Sequence, residues 1–327
     1  TINPNSLTFQ GATTPQPVYD TAGESIHIVY MDVTKGWIPI NDGAVALETP
    51  QAYDAEYLVI AGGAGGYEAT ASGGNGRGGG GAGGMLSNFG GAAISLVPGV
   101  TYTIAVGAGG AVSTNGVNSV LSGGVITTVT ATGGGTGGTG NNPSYGNGQD
   151  GGSGGGATGT GLSGGSGNTP STTPSQGNDG GDVTSNNAAG GGGGAGAVGG
   201  DNSGANGGVG GAGLANSITG SSVTYAGGGG GGGSPNGGAG GSGGGGAGNF
   251  YEASVGVAGE NGKGGGGGGG LYSTAANPEA GVGGNGVVIL RVATADVGTV
   301  SGEDSSAVDG SDTVITWLST SGGTYIA

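Results

Sequence analysis

Cysteine is absent from this 327-residue chain, and histidine occurs once, as His27. The chain therefore has no disulfide framework and no cysteine-based metal site, and any catalytic triad would depend on that one histidine. Lysine and arginine total four against 20 aspartates and glutamates, so the formal charge is −16. Nucleic acids need a basic surface and are excluded as partners, and anionic membrane surfaces are disfavoured.

Long apolar runs and abundant proline are also missing. No stretch of roughly 18 apolar residues exists, so a membrane-spanning helix is not predicted. The first residues lack the basic and apolar regions of a signal peptide, and we expect none. Only 11 prolines occur, and glycines come in runs rather than at every third position, which excludes collagen.

What the chain has instead is glycine. Only nine of its 97 glycines lie outside residues 61–286, and runs such as 227–233 and 264–270 consist of nothing else. A flexible Gly/Ser linker is the default for this composition, because glycine loses the most entropy on ordering. An ordered block must offset about 1–2 kcal/mol of backbone entropy per residue without side chains to bury.

Polyglycine-II helices meet that requirement. Such a helix has three residues per turn and no internal hydrogen bonds, so its N–H and C=O groups must pair with neighbouring helices. Non-glycine residues then recur at a spacing of three along the outward edge, as Ala61, Ala64 and Tyr67 do. We therefore predict a central bundle of about ten short, packed polyglycine-II helices joined by loops.

Residues outside the block, and two islands inside it, have the alternating pattern of β-strands. Strands are expected at 7–10, 25–33, 57–60, 93–97, 101–106, 125–130, 286–292 and 313–318. Strand 57–60 should pair with 286–292, so that the two ends of the block meet. Strands 93–97 and 101–106, on either side of a turn at 98–99, should form a small sheet beside the block together with 125–130.

The predicted fold class is mostly β and irregular, with small β-segments beside the bundle and essentially no α-helix. Strand 25–33 is apolar on both faces, so we expect it to be covered on both sides or paired between subunits, with a turn at 41–43. Three regions follow. Residues 1–56 form an attachment or oligomerisation segment, 57–292 the glycine-rich domain with inserted strands, and 293–327 an acidic β-segment.

Polar islands between the glycine runs are predicted to be loops that connect one helix to the next. Several contain aromatic rings beside Asn, Ser and Thr, a composition that suits sugars or outer-membrane protein loops and resembles antibody loops. The alternative is that these rings cover the ends of the bundle. The candidate binding residues are Asn142, Tyr145, Thr172, Tyr225, Phe250, Tyr251 and Tyr272.

Calcium binding is a weaker hypothesis. Asp150 ends a stretch that resembles part of a Ca²⁺-binding nonapeptide repeat, and Asp179 and Asp182 lie in similar surroundings. The repeat does not recur, so solvated loop carboxylates are the alternative. His27 has no companion residues and no carboxylate pair stands out, so neither an enzyme nor a cofactor is predicted.

Segments around the glycine runs resemble bacteriophage glycine-rich tail-fibre proteins. The resemblance is carried by YLVIAGG at 57–63, PGVTYTIAVGAGG at 98–110, TATGGG at 130–135 and GNGVVILR at 284–291, and 35–39 is similar to phage fibre modules. The block is more distantly similar to the distal adhesin of T-even phages, in which polyglycine-II helices stack and tip loops bind the host receptor. The β-segments at both ends depart from that adhesin.

The resemblance implies a tail-fibre tip or adhesin domain in the virion, or extracellular. Its partners would be a host outer-surface protein or glycan and the rest of the fibre, and a homotrimer is expected. The candidate binding residues would then form receptor-binding loops. Two alternatives stay open: a structural subunit of an extracellular filament or sheath without a specific ligand, and, less expected, a glycan-degrading enzyme.

Overall fold

The computed structural model describes residues 7–11, 27–40, 52–68, 76–138, 146–185, 188–250, 255–271 and 280–327. These residues form strands and irregular backbone, with one 3₁₀ turn at Thr294–Asp296 and no α-helix among them, which confirms the predicted fold class. The strands are β1 (Ile28–Asp32), β2 (Gly36–Pro39), β3 (Tyr53–Ile60), β4 (Met85–Ser87), β5 (Ile94–Leu96), β6 (Thr101–Ala105), β7 (Ser119–Gly123), β8 (Val129–Ala131), β9 (Leu214–Asn216), β10 (Val223–Tyr225), β11 (Val287–Ala293), β12 (Thr299–Ser301), β13 (Ser305–Asp309), β14 (Asp312–Trp317) and β15 (Gly323–Ile326).

Two antiparallel sheets pack face to face as a β-sandwich. The first has the strand order β13-β14-β11-β3-β4, and β5 pairs with the first half of β3. The second has the order β12-β15-β6-β7-β8. Trp317 from the first sheet and Tyr102 and Tyr325 from the second are fully buried between them. These rings account for much of the core, because aromatic side chains bury the largest areas.

The first sheet is covered on its other face as well. On β11, Val288 and Leu290 face the sandwich core, whereas Val287 and Ile289 belong to a second apolar cluster. That cluster includes Tyr225, from the two-stranded β9-β10 hairpin. Burial on both faces explains why β11 is a continuous apolar run and not an alternating one.

The predicted pairing of 57–60 with 286–292 is confirmed. Strands β3 and β11 are antiparallel, with Ile60 opposite Val287 and Tyr57 opposite Leu290. The strand predicted at 313–318 is β14. Residues 293–327 also supply β12, β13 and β15, so this acidic segment contributes to both sheets. The three-region division itself stays a prediction.

Strands β5 and β6 occur where they were predicted, and the small sheet predicted for the two islands forms in part: β6 joins β7 and β8, but β5 does not. β5 pairs with β3 in the first sheet, whereas β6 pairs with β7 and β15 in the second. Leu96 and Tyr102 both face the common core, so the turn with Gly99 (φ +77°) carries the chain from one sheet to the other.

The strand predicted at 125–130 is displaced. Residues 119–123 and 129–131 form β7 and β8, and Val125 is 79% exposed in the loop between them. Gly123 and Gly124 both have positive φ, which ends β7 and turns the chain away before the β-branched residues.

The N-terminal hairpin joins β1 to β2. Its turn is held by Asp32 Oδ1, which accepts the N–H groups of Thr34 (2.8 Å) and Lys35 (2.6 Å). These two hydrogen bonds lower the pKa of the Asp32 carboxyl. The turn predicted at 41–43 lies outside the described residues. The strand predicted at 7–10 is reduced to one bridge between Phe9 and Trp37.

The described residues of this chain do not bury both faces of the strand predicted at 25–33. Val29, Tyr30 and Met31 on β1 are exposed, Met31 by 60%, and so is Val33 in the turn. Tyr30 contacts Trp37 edge to face, with ring centroids 5.5 Å apart. Pairing of this strand between subunits stays a prediction.

The glycine block forms a lattice of short segments that are hydrogen-bonded to their lateral neighbours. Segment 61–67 illustrates the hydrogen-bonding pattern. The N–H groups of Ala61, Ala64 and Tyr67 bond to the carbonyls of Gly84, Gly81 and Gly78. Those of Gly62 and Gly65 bond to Val117 and Thr114, and those of Gly63 and Gly66 bond to Gly284 and Gly281. Every third residue thus bonds to the same neighbour, as three residues per turn require. The predicted polyglycine-II packing is confirmed.

The close packing of the lattice explains why it is built from glycine. A Cβ atom on Gly62 would lie 1.9 Å from the carbonyl oxygen of Ala108, and one on Gly63 would lie 2.1 Å from that of Gly265. Real Cβ contacts below 3.0 Å essentially never occur. Segments with side chains at these positions could not reach hydrogen-bonding distance of one another.

Candidate functional site

The lattice has two ends, and the sandwich lies at one of them. Strand β3 runs directly into segment 61–67, and β4 and β11 begin directly after segments 77–84 and 281–286. We call this the proximal end. The opposite, distal end is formed, among the described residues, by 67–68, 76–77, 111–114, 158–162, 184–185, 188–189, 203–206, 234–236, 249–250 and 270–271.

The distal connections are braced against one another where the structure describes them. Asn236 Nδ2 donates to Asn206 Oδ1 (2.9 Å), which links two adjacent connections. Asn202 Nδ2 donates to the carbonyls of Ser185 (2.8 Å) and Gly204 (3.0 Å). Short polar side chains therefore fix the backbone at this end, in addition to the lattice below them.

The predicted binding residues fall at both ends. Phe250 lies at the distal end, where it forms a bridge with Gly233 and is 50% exposed. Thr172 and Tyr225 lie at the proximal end, so the structure does not bring them together with Phe250. The remaining four, Asn142, Tyr145, Tyr251 and Tyr272, lie outside the described residues.

Tyr225 is packed against the first sheet, and its role as a binding residue stays a prediction. It ends β10, is only 5% exposed and packs beside Ile289 and Val314 of the first sheet. Burial raises the pKa of its phenol, because the apolar surroundings disfavour the charged form. The alternative stated from the sequence, that such rings cover an end of the bundle, holds for this residue.

Thr172 borders a separate groove. Its hydroxyl donates to the carbonyl of Pro174 (2.8 Å) within the compact turn 168–176. The groove has a volume of about 590 Å³ and is lined by Tyr57, Leu86, Ser87, Ile94, Ser95, residues 125–130 and 172–174. It is a mixed apolar and hydroxyl surface beside β4, β5 and β8, at the end of the lattice opposite to Phe250.

The calcium candidates have a defined structural role. In segment 163–167, several backbone N–H groups donate to side-chain oxygens of neighbouring segments and not to carbonyls. The N–H of Ser166 bonds to Asp150 Oδ1 (2.7 Å), that of Gly167 to Asp179 Oδ1 (2.7 Å), and that of Gly164 to Asp182 Oδ1 (2.9 Å). These carboxylates therefore serve as acceptors that hold the segment to its neighbours. No group of three or more acidic, histidine or cysteine side chains that could hold a metal occurs in the described residues.

Arg77 is not among the residues predicted from the sequence to be functional, although it is the only arginine within the glycine block. Its N–H bonds to the carbonyl of Gly270 (2.9 Å), and its carbonyl accepts from Gly232 (2.9 Å). The residue occupies the last distal turn of segment 77–84 and is 1% exposed. Neither Nε nor Nη1 has a hydrogen-bond partner among the residues that the structure describes. Burial lowers the pKa of this guanidinium.

The family model of the glycine-rich domain matches residues 40–293 of the chain. The chain belongs to the glycine-rich domain family. The match ends at the last residue of β11, so this glycine-rich domain includes the lattice and the strands that open and close it. No curated protein and no solved structure is significantly similar to the chain. Within the described residues, no segment forms a long apolar helix of the kind that crosses a membrane.

Proposed function

We propose that this glycine-rich domain is a receptor-binding tip or adhesin domain of a phage tail fibre. It would recognise a host surface protein or glycan through the connections at its distal end, by binding and not by catalysis. The virion is then its location. The proposal rests on one observation above all, the separation of the molecule into a sandwich at one end and braced connections at the other.

The lattice supports this proposal because its hydrogen bonds do not involve the side chains of the connections. Each segment is held by backbone bonds such as those from Gly63 to Gly284 (2.9 Å) and from Gly80 to Gly267 (2.8 Å). A change of side chain in a connection leaves those bonds in place. Rigid scaffolds of this kind commonly carry variable recognition loops.

The proximal end supports attachment to the remainder of a fibre. Strand β3 enters the lattice there, and the C-terminal strands β12 to β15 complete the two sheets. The apolar side chains of Val29, Met31 and Ile40 on the N-terminal hairpin are exposed. We propose that they pack between subunits in a homotrimer, because exposed apolar groups of this kind favour association.

Binding of the labelled full chain to a panel of bacterial surfaces tests the proposal. Phe250→Ala changes an exposed ring at the distal end, and Val125→Ala is the matched proximal control, since Val125 is even more exposed. We expect Phe250→Ala to weaken binding about tenfold or more, and Val125→Ala to leave it unchanged, with equal melting temperatures. Equal binding by both variants, or a loss confined to Val125→Ala, would contradict the proposal.

Immunogold electron microscopy of native particles separates the proposal from its structural alternative. Gold labels in a few copies at the end of a virion fibre would support the adhesin proposal. Regular labelling along the whole length of a filament supports a structural subunit and contradicts the adhesin.

A further inference from the structure

The N-terminal hairpin presents an apolar face that the described part of its own chain does not bury. Val29 on β1 is paired with Ile38 on β2, and Met31 and Ile40 each lie two residues further along their strand, so the four side chains share one face. Val29, Met31 and Ile40 are exposed. A two-stranded hairpin is only marginally stable by itself in water, so a face of this kind needs a partner to pack against.

The groove beside β4, β5 and β8 is an open side of the sandwich. Five apolar side chains in it are half-buried against the core cluster between the two sheets, namely Tyr57, Leu86, Ile94, Ile126 and Val129. The core is therefore accessible along this side, over a volume of about 590 Å³. An apolar strand that lay in the groove would complete the sandwich.

Two strand edges border the groove. β8 is the last strand of its sheet, and β4 and β5 lie along the outer edge of β3, so neither edge is paired with a further strand among the described residues. Such edges carry backbone N–H and C=O groups that bond readily to an added strand. The groove thus offers an apolar floor together with backbone partners, and both are what a strand from another chain requires.

The two surfaces also match in charge. None of the described residues that line the groove is charged, and its rim carries the hydroxyl groups of Ser95, Thr127 and Thr128. A charged side chain buried there would lose its hydration without a counter-charge. The hairpin meets this condition, because residues 28–31 and 36–40 contain no charged residue and Asp32 and Lys35 lie at its turn.

We propose that the hairpin of one copy packs its face with Val29 and Met31 into the groove of a second copy. Within one copy the two surfaces do not cover each other, since Met31 and Ile40 are exposed and the groove is open. Each copy then gives one hairpin and receives one, and a head-to-tail contact of this kind closes into a ring when its rotation allows. This inference rests on the homotrimer proposed above and names the surfaces that join its subunits.

Sedimentation equilibrium of the full chain tests the inference with single added charges. Met31→Glu places a carboxylate on the hairpin face, and Thr128→Glu places one in the groove at an exposed position outside the core. We expect each to weaken association about tenfold or more, because the contact would bury an unpaired charge. Thr34→Glu, in the hairpin turn, and Thr299→Glu, on β12 at the opposite edge of the second sheet, are the matched controls and should associate as the wild type does.

A mixture of the two variants tests the direction of the contact. The Met31→Glu chain keeps an intact groove, and the Thr128→Glu chain keeps an intact hairpin. The mixture should therefore form a one-to-one heterodimer, although neither variant associates well by itself. Its ring cannot close, because the second contact would join the two altered surfaces. Association as weak in the mixture as in the separate variants overturns the inference.

The outcomes separate this inference from the homotrimer and from other occupants of the groove. A wild type that stays monomeric overturns both the homotrimer and the inference. Variants that remain as trimeric as the wild type overturn the inference alone. A trimeric Thr128→Glu variant that binds bacterial surfaces less well assigns the groove to a host ligand and likewise overturns it.

Amide hydrogen exchange of the wild type replaces the variants if one of them does not fold. Strands β1 and β8 should exchange more slowly at concentrations above the association midpoint than below it, whereas β12 at the opposite edge should not change. Equal exchange of β1 and β8 at both concentrations overturns the inference.

Discussion

The sandwich and the lattice of this protein are held together by opposite means. The sandwich buries large side chains such as Trp317 and Tyr102 between two sheets. The lattice buries backbone, with N–H and C=O groups of neighbouring segments bonded in three directions. Net hydrogen bonds contribute only about 0.5–1.5 kcal/mol each, so the lattice depends on their number and on the close approach that glycine allows.

The two regions should therefore respond to different kinds of substitution. A side-chain core loses stability in proportion to the volume removed. The lattice contains almost no volume to remove, but one added methyl group separates two backbones and breaks the bonds of both.

Gly62→Ala should have the largest effect. The added Cβ would meet the backbone of Ala108, which cannot move without breaking its own bonds. We expect a loss of more than about 4 kcal/mol of unfolding free energy, or failure to fold, because the lattice cannot absorb the change locally. Gly91→Ala is the control, since its nearest contact is 3.2 Å away at an exposed turn, and it should cost less than about 1 kcal/mol. Equal denaturation midpoints for the two variants would contradict the lattice account.

Trp317→Ala should cost about 3–5 kcal/mol, the range for removal of a buried aromatic side chain. Its ring is fully buried and its Nε1 donates to the carbonyl of Ser301 (3.1 Å). Leu318→Ala, at a 40% exposed neighbour, is the control and should change the unfolding free energy little. Chemical denaturation measures both, and a near-neutral Trp317→Ala would mean that the lattice alone sustains the fold.

Alkaline pH should weaken the sandwich selectively. The hydroxyls of Tyr53 and Tyr325 are hydrogen-bonded to each other (2.8 Å), and burial raises the pKa of Tyr53 well above its ordinary value of 10.0. The unfolded chain therefore loses this proton above about pH 10, while the folded chain keeps it.

The contribution of Tyr53 to stability should consequently be constant below about pH 10 and fall as the pH rises above it. Melting temperatures at about pH 9 and about pH 11 measure this change, and Tyr53→Phe should reduce it. A wild type that is equally stable at both values would contradict the assignment.

Asp179→Ala should have the smallest effect, a loss of about 1 kcal/mol, because one edge N–H loses its acceptor. Asp179→Asn keeps an Oδ1 atom in the same place and should be nearly neutral. A comparison of the two unfolding free energies separates hydrogen bonding from charge. If Asp179→Asn costs as much as Asp179→Ala, the carboxylate charge matters more than its position.

Much of this contrast could be predicted from the sequence, because both regions leave periodic signals. The three-residue spacing of Ala61, Ala64 and Tyr67 indicates a threefold helix, and the apolar runs at the two ends of the glycine block indicate paired strands. These signals are local or nearly so. They identify the lattice and the pairing of β3 with β11.

The rest of the fold could not be predicted, because it depends on contacts between residues far apart in the sequence. Strands β12 and β13 are largely exposed and polar, so they lack a hydrophobic signal and exist because β15 and β14 offer them edges. The same limit applies to the candidate site. Tyr225 has the composition of a binding loop around it, yet a sheet face covers it. Arg77 stands out only once its burial is known.

Through-hydrogen-bond scalar couplings between amide nitrogens and carbonyl carbons test the lattice most directly. In segment 61–67, the account predicts couplings from Gly63 to Gly284 and from Gly66 to Gly281, with Ala64 coupled to Gly81 and Gly65 coupled to Thr114. The partner segment should thus recur at every third residue. Absent couplings, or a strand-like pattern in which alternate residues share one neighbour, would contradict it.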